Sequence, residues 1–233
     1  MTLPVPLLTF DNLVAGYADT PVLHRVSATV SAGQAVGVIG RNGVGKSTLL
    51  RALAGIIRPF SGSVVWSGQV LEGQAAYAYR ALGMSYAPQE RVVFDELSVA
   101  DNLTLGQADR DLAIFANSFL LFPRLQSRLP QKAGVMSGGE KKLLSFVRIM
   151  SEEGALSLLD EPSEGVAPEN IALMAQVIQQ AKARGKAFLL AEQNIDFLLS
   201  VCDHLLIMDH GEFVASAPLA QFSRERIEAY LAV

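Results

Sequence analysis

Residues 40–48, GRNGVGKST, decide how the rest of this chain is read. They fit G-x-x-x-x-G-K-[ST], the phosphate-binding P-loop. Ala35, Val36, Val38 and Ile39 form an apolar run that predicts a buried strand leading in, and 46–54 predicts a helix leading out. The order has a physical purpose. A tight glycine-rich turn lets backbone N–H groups surround the α- and β-phosphates, and the helix N-terminus adds its partial positive charge. Gly40, Asn42, Gly43, Gly45, Lys46, Ser47 and Thr48 are the candidate binding positions. Lys46 can reach the β- and γ-phosphates, and the Ser47 hydroxyl can ligate Mg²⁺.

Composition bounds the rest. The chain has 233 residues, half of them apolar and 18% charged, which suits one large globular domain or a domain with an insertion. A net charge of −4 offers no electrostatic ground for a nucleic-acid partner. The single cysteine, Cys202, excludes an internal disulfide and lies in an apolar stretch, as a buried structural thiol in a reducing compartment would. No apolar run approaches the roughly 20 residues of a spanning helix, and TLPVPLLTF at the start lacks the basic segment of a secretory signal. The expectation is a cytosolic protein that something else must hold if it works at a membrane.

Strands are expected at 7–13 and 25–30 around a turn at 16–21. Tyr17 in that turn reads either as a surface hairpin residue or as an aromatic plate for an adenine ring. A short strand at 64–66, a helix at 74–82 and a strand at 84–87 stopped by Pro88 follow. Gln89 comes next, either an ordinary loop residue or one that ligates Mg²⁺ or senses a γ-phosphate. The chain then changes character. Ser98 caps a helix to 105, 109–122 reads as a helix ended by Pro123, and Ser137 opens an apolar-periodic helix. Ser137-Gly138-Gly139 reads as a capped, flexible start or as a second phosphate-binding helix N-terminus.

Residues 156–160, LSLLD, predict a buried strand that ends on Asp160 and Glu161. Carboxylates at the C-terminal end of a strand lie where open α/β sheets bind ligands. In P-loop proteins such an aspartate holds Mg²⁺, and an adjacent glutamate can polarise the attacking water. A helix at 168–185, a strand at 187–191 followed by Glu192-Gln193-Asn194, a helix at 195–202, paired strands at 204–208 and 212–215, and a helix at 224–231 complete the chain. His204 and His210 have no second ligand at metal spacing and read as structural.

The P-loop, Gln89, MSGGE at 136–140 and LSLLDEP at 156–162 occur in one order. This set resembles the nucleotide-binding subunit of ATP-binding cassette (ABC) transporters over essentially the whole chain. The resemblance implies an α/β fold. A P-loop NTPase core, a mixed sheet flanked by helices, would carry an antiparallel β subdomain in 1–89 and 152–233. A helical subdomain would be inserted at 90–151. It implies ATP and Mg²⁺, with Tyr17 stacking on adenine and 40–48 holding the phosphates. Gln89 would link the Mg²⁺ site to the surface meeting the membrane subunit. Asp160 would be the Mg²⁺ carboxylate, Glu161 the group activating water, and Gln193 would stand at the switch position. Ser137, Gly138 and Gly139 would act in trans on ATP held by a second cassette, so that two chains close head-to-tail around two ATP molecules.

Departures carry information. Met136 and Glu140 replace the Leu and Gln of LSGGQ, Ala167 stands where an aspartate is usual, and Gln193 stands where the family usually has histidine. A glutamine can hydrogen-bond a γ-phosphate but carries no charge, which implies slower or differently tuned hydrolysis. GRNGVGK, EGVAP at 164–168 and EQN at 192–194 resemble the branch importing branched-chain amino acids, urea and short-chain amides. That branch implies transmembrane permeases, a periplasmic binding protein and a peripheral place on the cytoplasmic face of the inner membrane. An exporter cassette, a soluble ABC ATPase of DNA repair or translation, and a catalytically weak partner subunit are the alternatives.

Overall fold

The structure, a computed structural model, describes residues 6–71, 76–107 and 109–231. The chain opens with a long hairpin, β1 (Pro6–Tyr17) and β2 (Thr20–Ser31), then β3 (Ala35–Ile39), α1 (Lys46–Leu53), β4 (Ser61–Trp66), β5 (Gln69–Val70), α2 (Ala76–Ala81) and β6 (Met84–Ala87). A helical stretch follows, with α3 (Val99–Leu103), α4 (Ala116–Leu121), α5 (Pro123–Ser127) and α6 (Gly138–Ser151). The chain then alternates through β7 (Leu156–Asp160), α7 (Pro168–Ala183), β8 (Ala187–Glu192), α8 (Ile195–Val201), β9 (His204–Asp209), β10 (Glu212–Pro218) and α9 (Arg224–Leu231).

Two sheets result. One has the order β10-β9-β3-β8-β7-β6, parallel from β9 to β6, with β10 antiparallel at its edge. The other is antiparallel, in the order β2-β1-β4-β5. Every residue of β3, β7 and β8 is buried, because both faces of the parallel sheet are covered. Side chains alternate between two cores. Val36, Val38, Leu158, Leu189 and Leu206 face one side, where α1 packs Leu49, Leu50 and Leu53 between the two sheets. Ile39, Leu159, Phe188, Leu190 and Ile207 face the other, under α3 to α8. The α9 helix seats Ile227, fully buried, on that second core.

Several elements differ from the sequence reading for identifiable reasons. The hairpin turn is not 16–21 but the two residues Ala18 and Asp19, since Gly16 pairs with Pro21 and Tyr17 with Thr20. Residues 109–122 are not one helix. A 3₁₀ turn (Ala113–Phe115) precedes α4, and the Asp111 carboxylate accepts from the Ala113 N–H, a local bond that competes with an earlier helical start. Pro123 ends α4 but is also the first residue of α5, where its missing N–H costs nothing. The helix capped by Ser98 stops at Leu103, two residues early. The strand β5 was not foreseen. Of the helix expected at 74–82, residues 74 and 75 lie outside the described residues, as do 2–5 of the N-terminal stretch.

Candidate nucleotide-binding and active site

The site forms at the carboxyl ends of β3, β8, β7 and β6. Register places it: Ile39 pairs with Glu192, Asp160 with Ala191, and Ala87 with Leu159. The 40–48 loop, Gln193, Glu161 and Gln89 therefore leave the sheet at neighbouring strand ends. Gly43 and Gly45 have φ of +82° and +114°, conformations that L side chains rarely adopt. Gly45 is the N-cap of α1 and supplies no capping side chain, so the first N–H groups of α1 suit an anion.

Lys46 is 4% exposed. Its Nζ donates to the Gly40 and Arg41 carbonyls (2.8 and 3.1 Å) and lies 3.5 Å from Glu161 Oε1. Ser47 Oγ donates to Asp160 Oδ1 at 3.0 Å. Thr48 is buried in the first turn of α1. Gln193 Nε2 donates to Glu161 Oε1 (2.9 Å) and to Asn42 Oδ1, while Gln89 Nε2 donates to Glu161 Oε2 (2.9 Å) and Glu164 Oε2 (3.4 Å). The Glu161 carboxylate is thus where the P-loop lysine, Gln193 and Gln89 meet.

The Glu161 backbone is unusual. Its φ is +46°, a conformation that costs a residue other than glycine about 1–3 kcal/mol and persists only where neighbours hold it. Its N–H donates to the Ala191 carbonyl (2.8 Å), and its carbonyl accepts from Lys142 Nζ (3.0 Å).

Burial pushes the Asp160 carboxyl up, against the donors Ser47 and Tyr86, which pull it back. Tyr86 Oη donates to Asp160 Oδ2 at 3.3 Å, and burial, then the Asp160 charge, raises its phenol well above the usual range. Arg51 donates through Nη1 to Tyr17 Oη (2.9 Å), and its charge pulls the Tyr86 phenol back down against burial and Asp160. Tyr17, the last residue of β1, is 44% exposed and linked in this way to the Asp160 side of the site. Glu192 is 2% exposed, and burial raises its carboxyl. It accepts from the N–H groups of Ser163, Gln193 and Asn194 (2.8, 3.1 and 3.2 Å), which fixes the backbone from which Gln193 projects.

Ser137, Gly138 and Gly139 are on a different surface. Ser137 caps α6, Gly138 and Gly139 begin it, and Ser137 and Gly139 line a groove with Arg124, Arg128, Gly165 and Ala167. Ser137 Oγ accepts from the Glu140 N–H, and Glu140 Oε2 accepts from the Ser137 N–H, a reciprocal capping box. Glu140 also pairs with Arg128 (3.1 Å), which gives the departure from glutamine a structural role.

Sequence reasoning missed Lys142, Tyr86, Arg51 and Glu192. Lys142 had a readable signal: it shares a helix face with Phe146 and Ile149 at i+4 and i+7, so a lysine was being carried into the core. Glu192 and Tyr86 had none, because their partners are far away in sequence.

A family model described as ABC transporter matches residues 23–164. The high-affinity branched-chain amino acid transport ATP-binding protein BraG of Pseudomonas aeruginosa is 37% identical, over 89% of this chain and 91% of its own. The Nod factor export ATP-binding protein I of Burkholderia lata is 29% identical, over 96% and 75%. A solved ATP-binding subunit of an ABC transporter superposes with a TM-score of 0.83 at 27% identity, over 97% of this chain and all of that one. The strand-end carboxylates, the glycine-rich loop and these matches agree: the chain belongs to the ABC transporter ATP-binding family and is an ATPase of that family.

Proposed function

We propose that this chain powers a bacterial uptake transporter for branched-chain amino acids or related small solutes such as urea and short-chain amides. The observation that carries the catalytic part is the Glu161 carboxylate, held by Lys46, Gln193 and Gln89 beside the phosphate loop. In this reading Tyr17 stacks on adenine, 40–48 wraps the phosphates, Gln193 contacts the γ-phosphate, and Glu161 orients and deprotonates the attacking water. Residues 90–151 act as an inserted helical subdomain.

Among the described residues no group of three or more His, Cys, Asp and Glu side chains gathers to hold a metal. Ser47 and Asp160 offer one hydroxyl and one buried carboxylate, oxygen donors only, beside a phosphate loop. That donor set fits Mg²⁺, which is usually bound by one or two carboxylates and substrate phosphates. When bound, the ion would neutralise charge on the β- and γ-phosphates; Ser47 and Asp160 would hold it, with Gln89 at its margin.

No helix among the described residues is long and apolar enough to cross a membrane. The reading therefore includes transmembrane permease subunits that hold the chain at the cytoplasmic face of the inner membrane, and a periplasmic binding protein that selects the solute. It also includes a second cassette, because the groove lined by Ser137 and Gly139 contains none of residues 40–48. The likeness to BraG supports the cargo class. The likeness to a Nod factor export protein keeps an exporter as the second reading. The test is to purify the chain from native membranes with its partners, reconstitute the complex in vesicles and follow labelled leucine and urea with ATP on the cassette side. Outward movement of the solute, or recovery of no membrane partner, would overturn the importer.

A further inference from the structure

The start of α6 meets the 161–166 turn at three points. A Cβ on Gly139 would lie 2.1 Å from the Gly165 carbonyl oxygen, so helix and turn touch backbone to backbone. Lys142, one turn on, is 9% exposed. Its Nζ donates to the Glu161 carbonyl (3.0 Å) and lies 3.5 Å from Glu164 Oε2. Glu161 is left-handed and precedes Pro162, two restrictions on one residue. Its N–H is already tied to Ala191. Its carbonyl accepts from Lys142 Nζ and, at 3.3 Å, from the Glu164 N–H, so these two donors set the direction of its side chain, and Lys142 is the one that ties it to α6.

We propose that Lys142 is a positioning residue for ATP hydrolysis. It holds the Glu161 peptide in the conformation that aims the carboxylate at Lys46, Gln193 and Gln89, and it makes that aim depend on the seat of α6. The inference rests on the reading of Glu161 as the group that activates water. A buried ammonium needs partners, and those Lys142 has lie on the 161–164 segment. A displacement of α6 therefore draws Nζ from the Glu161 carbonyl. Any contact made at Ser137–Gly139 reaches the carboxylate through one turn of a rigid helix, with no change in the sheet.

The test compares Lys142→Met and Lys142→Arg in the full chain, with Glu161→Gln as a reference. Methionine keeps the length and loses the donor; arginine keeps a donor and adds bulk. A packing role and a donor role therefore rank them oppositely. The expected result is a kcat about tenfold or more below wild type for Met, with nucleotide affinity within about twofold, and substantial recovery for Arg. Equal kcat for Met and wild type, or Arg worse than Met, overturns the proposal. If Met does not fold, Arg alone decides: kcat within about threefold of wild type supports the proposal, and a loss beyond tenfold at intact affinity overturns it. Turnover that survives Glu161→Gln would instead sink the underlying assignment of Glu161.

Discussion

Lys46 Nζ lies 3.5 Å from Glu161 Oε1, and the two side chains are 4% and 6% exposed. The pair is enclosed, and a phosphate entering the 40–48 loop competes with Glu161 for the ammonium. Glu161→Gln removes the competitor and, with it, the carboxylate proposed to activate water. ATP should then bind several-fold more tightly while turnover falls by about 10²–10⁴-fold. Nucleotide titration and single-turnover kinetics check this; weaker binding in the Gln variant would mean that the pair is needed to shape the loop.

Gln193 donates to both Asn42 and Glu161, so it bridges the P-loop and the Glu161 carboxylate. Gln193→Ala should lower kcat by about tenfold with a smaller effect on KM. Gln193→His should add a limb near pH 6–7 to the rate profile, because an imidazole titrates there and an amide does not. A His variant with wild-type turnover and an unchanged profile would show that Gln193 stands clear of the transferred phosphate.

Gly138 and Gly139 are adjacent but not equivalent. A Cβ on Gly138 meets nothing within 4 Å, whereas one on Gly139 would collide with the Gly165 carbonyl. Gly139→Ala should lower the melting temperature by several degrees, while Gly138→Ala should leave it unchanged or slightly raised. A parallel loss in both variants would contradict the close approach of α6 to the 161–166 turn.

Lys186 caps the far end of α6, donating to the Ile149 and Glu152 carbonyls (3.3 and 3.1 Å). Burial lowers its ammonium to about 8, from an ordinary 10.5. Between those values the unfolded chain holds the proton and the folded chain does not, so raising the pH favours folding. The stability of wild type relative to Lys186→Met should rise from about pH 8 to 10.5 and level off above it. Denaturant titrations of both proteins across that range check the slope; a falling difference refutes the assignment.

Much of this was legible without coordinates. The P-loop, the strand LSLLD and the SGG helix start are local patterns in which turn chemistry, capping and uniform apolarity agree. The parallel strands were recognisable because sheets covered on both faces need apolar residues at every position. Residues 109–122 were misread because a single Asp111 bond and a 3₁₀ turn leave little trace in periodicity. The sequence by itself determined the fold class, the phosphate loop and the two strand-end acids, since each depends on neighbours within a few residues. Tertiary structure alone decided that Glu161 gathers Lys46, Gln89 and Gln193, that Tyr86 and Ser47 share Asp160, and that Lys142 reaches the Glu161 carbonyl. Those contacts join residues 19 to 115 positions apart; the register of β3, β8, β7 and β6 brings the strand-end groups together, and the packing of α6 brings Lys142 to them.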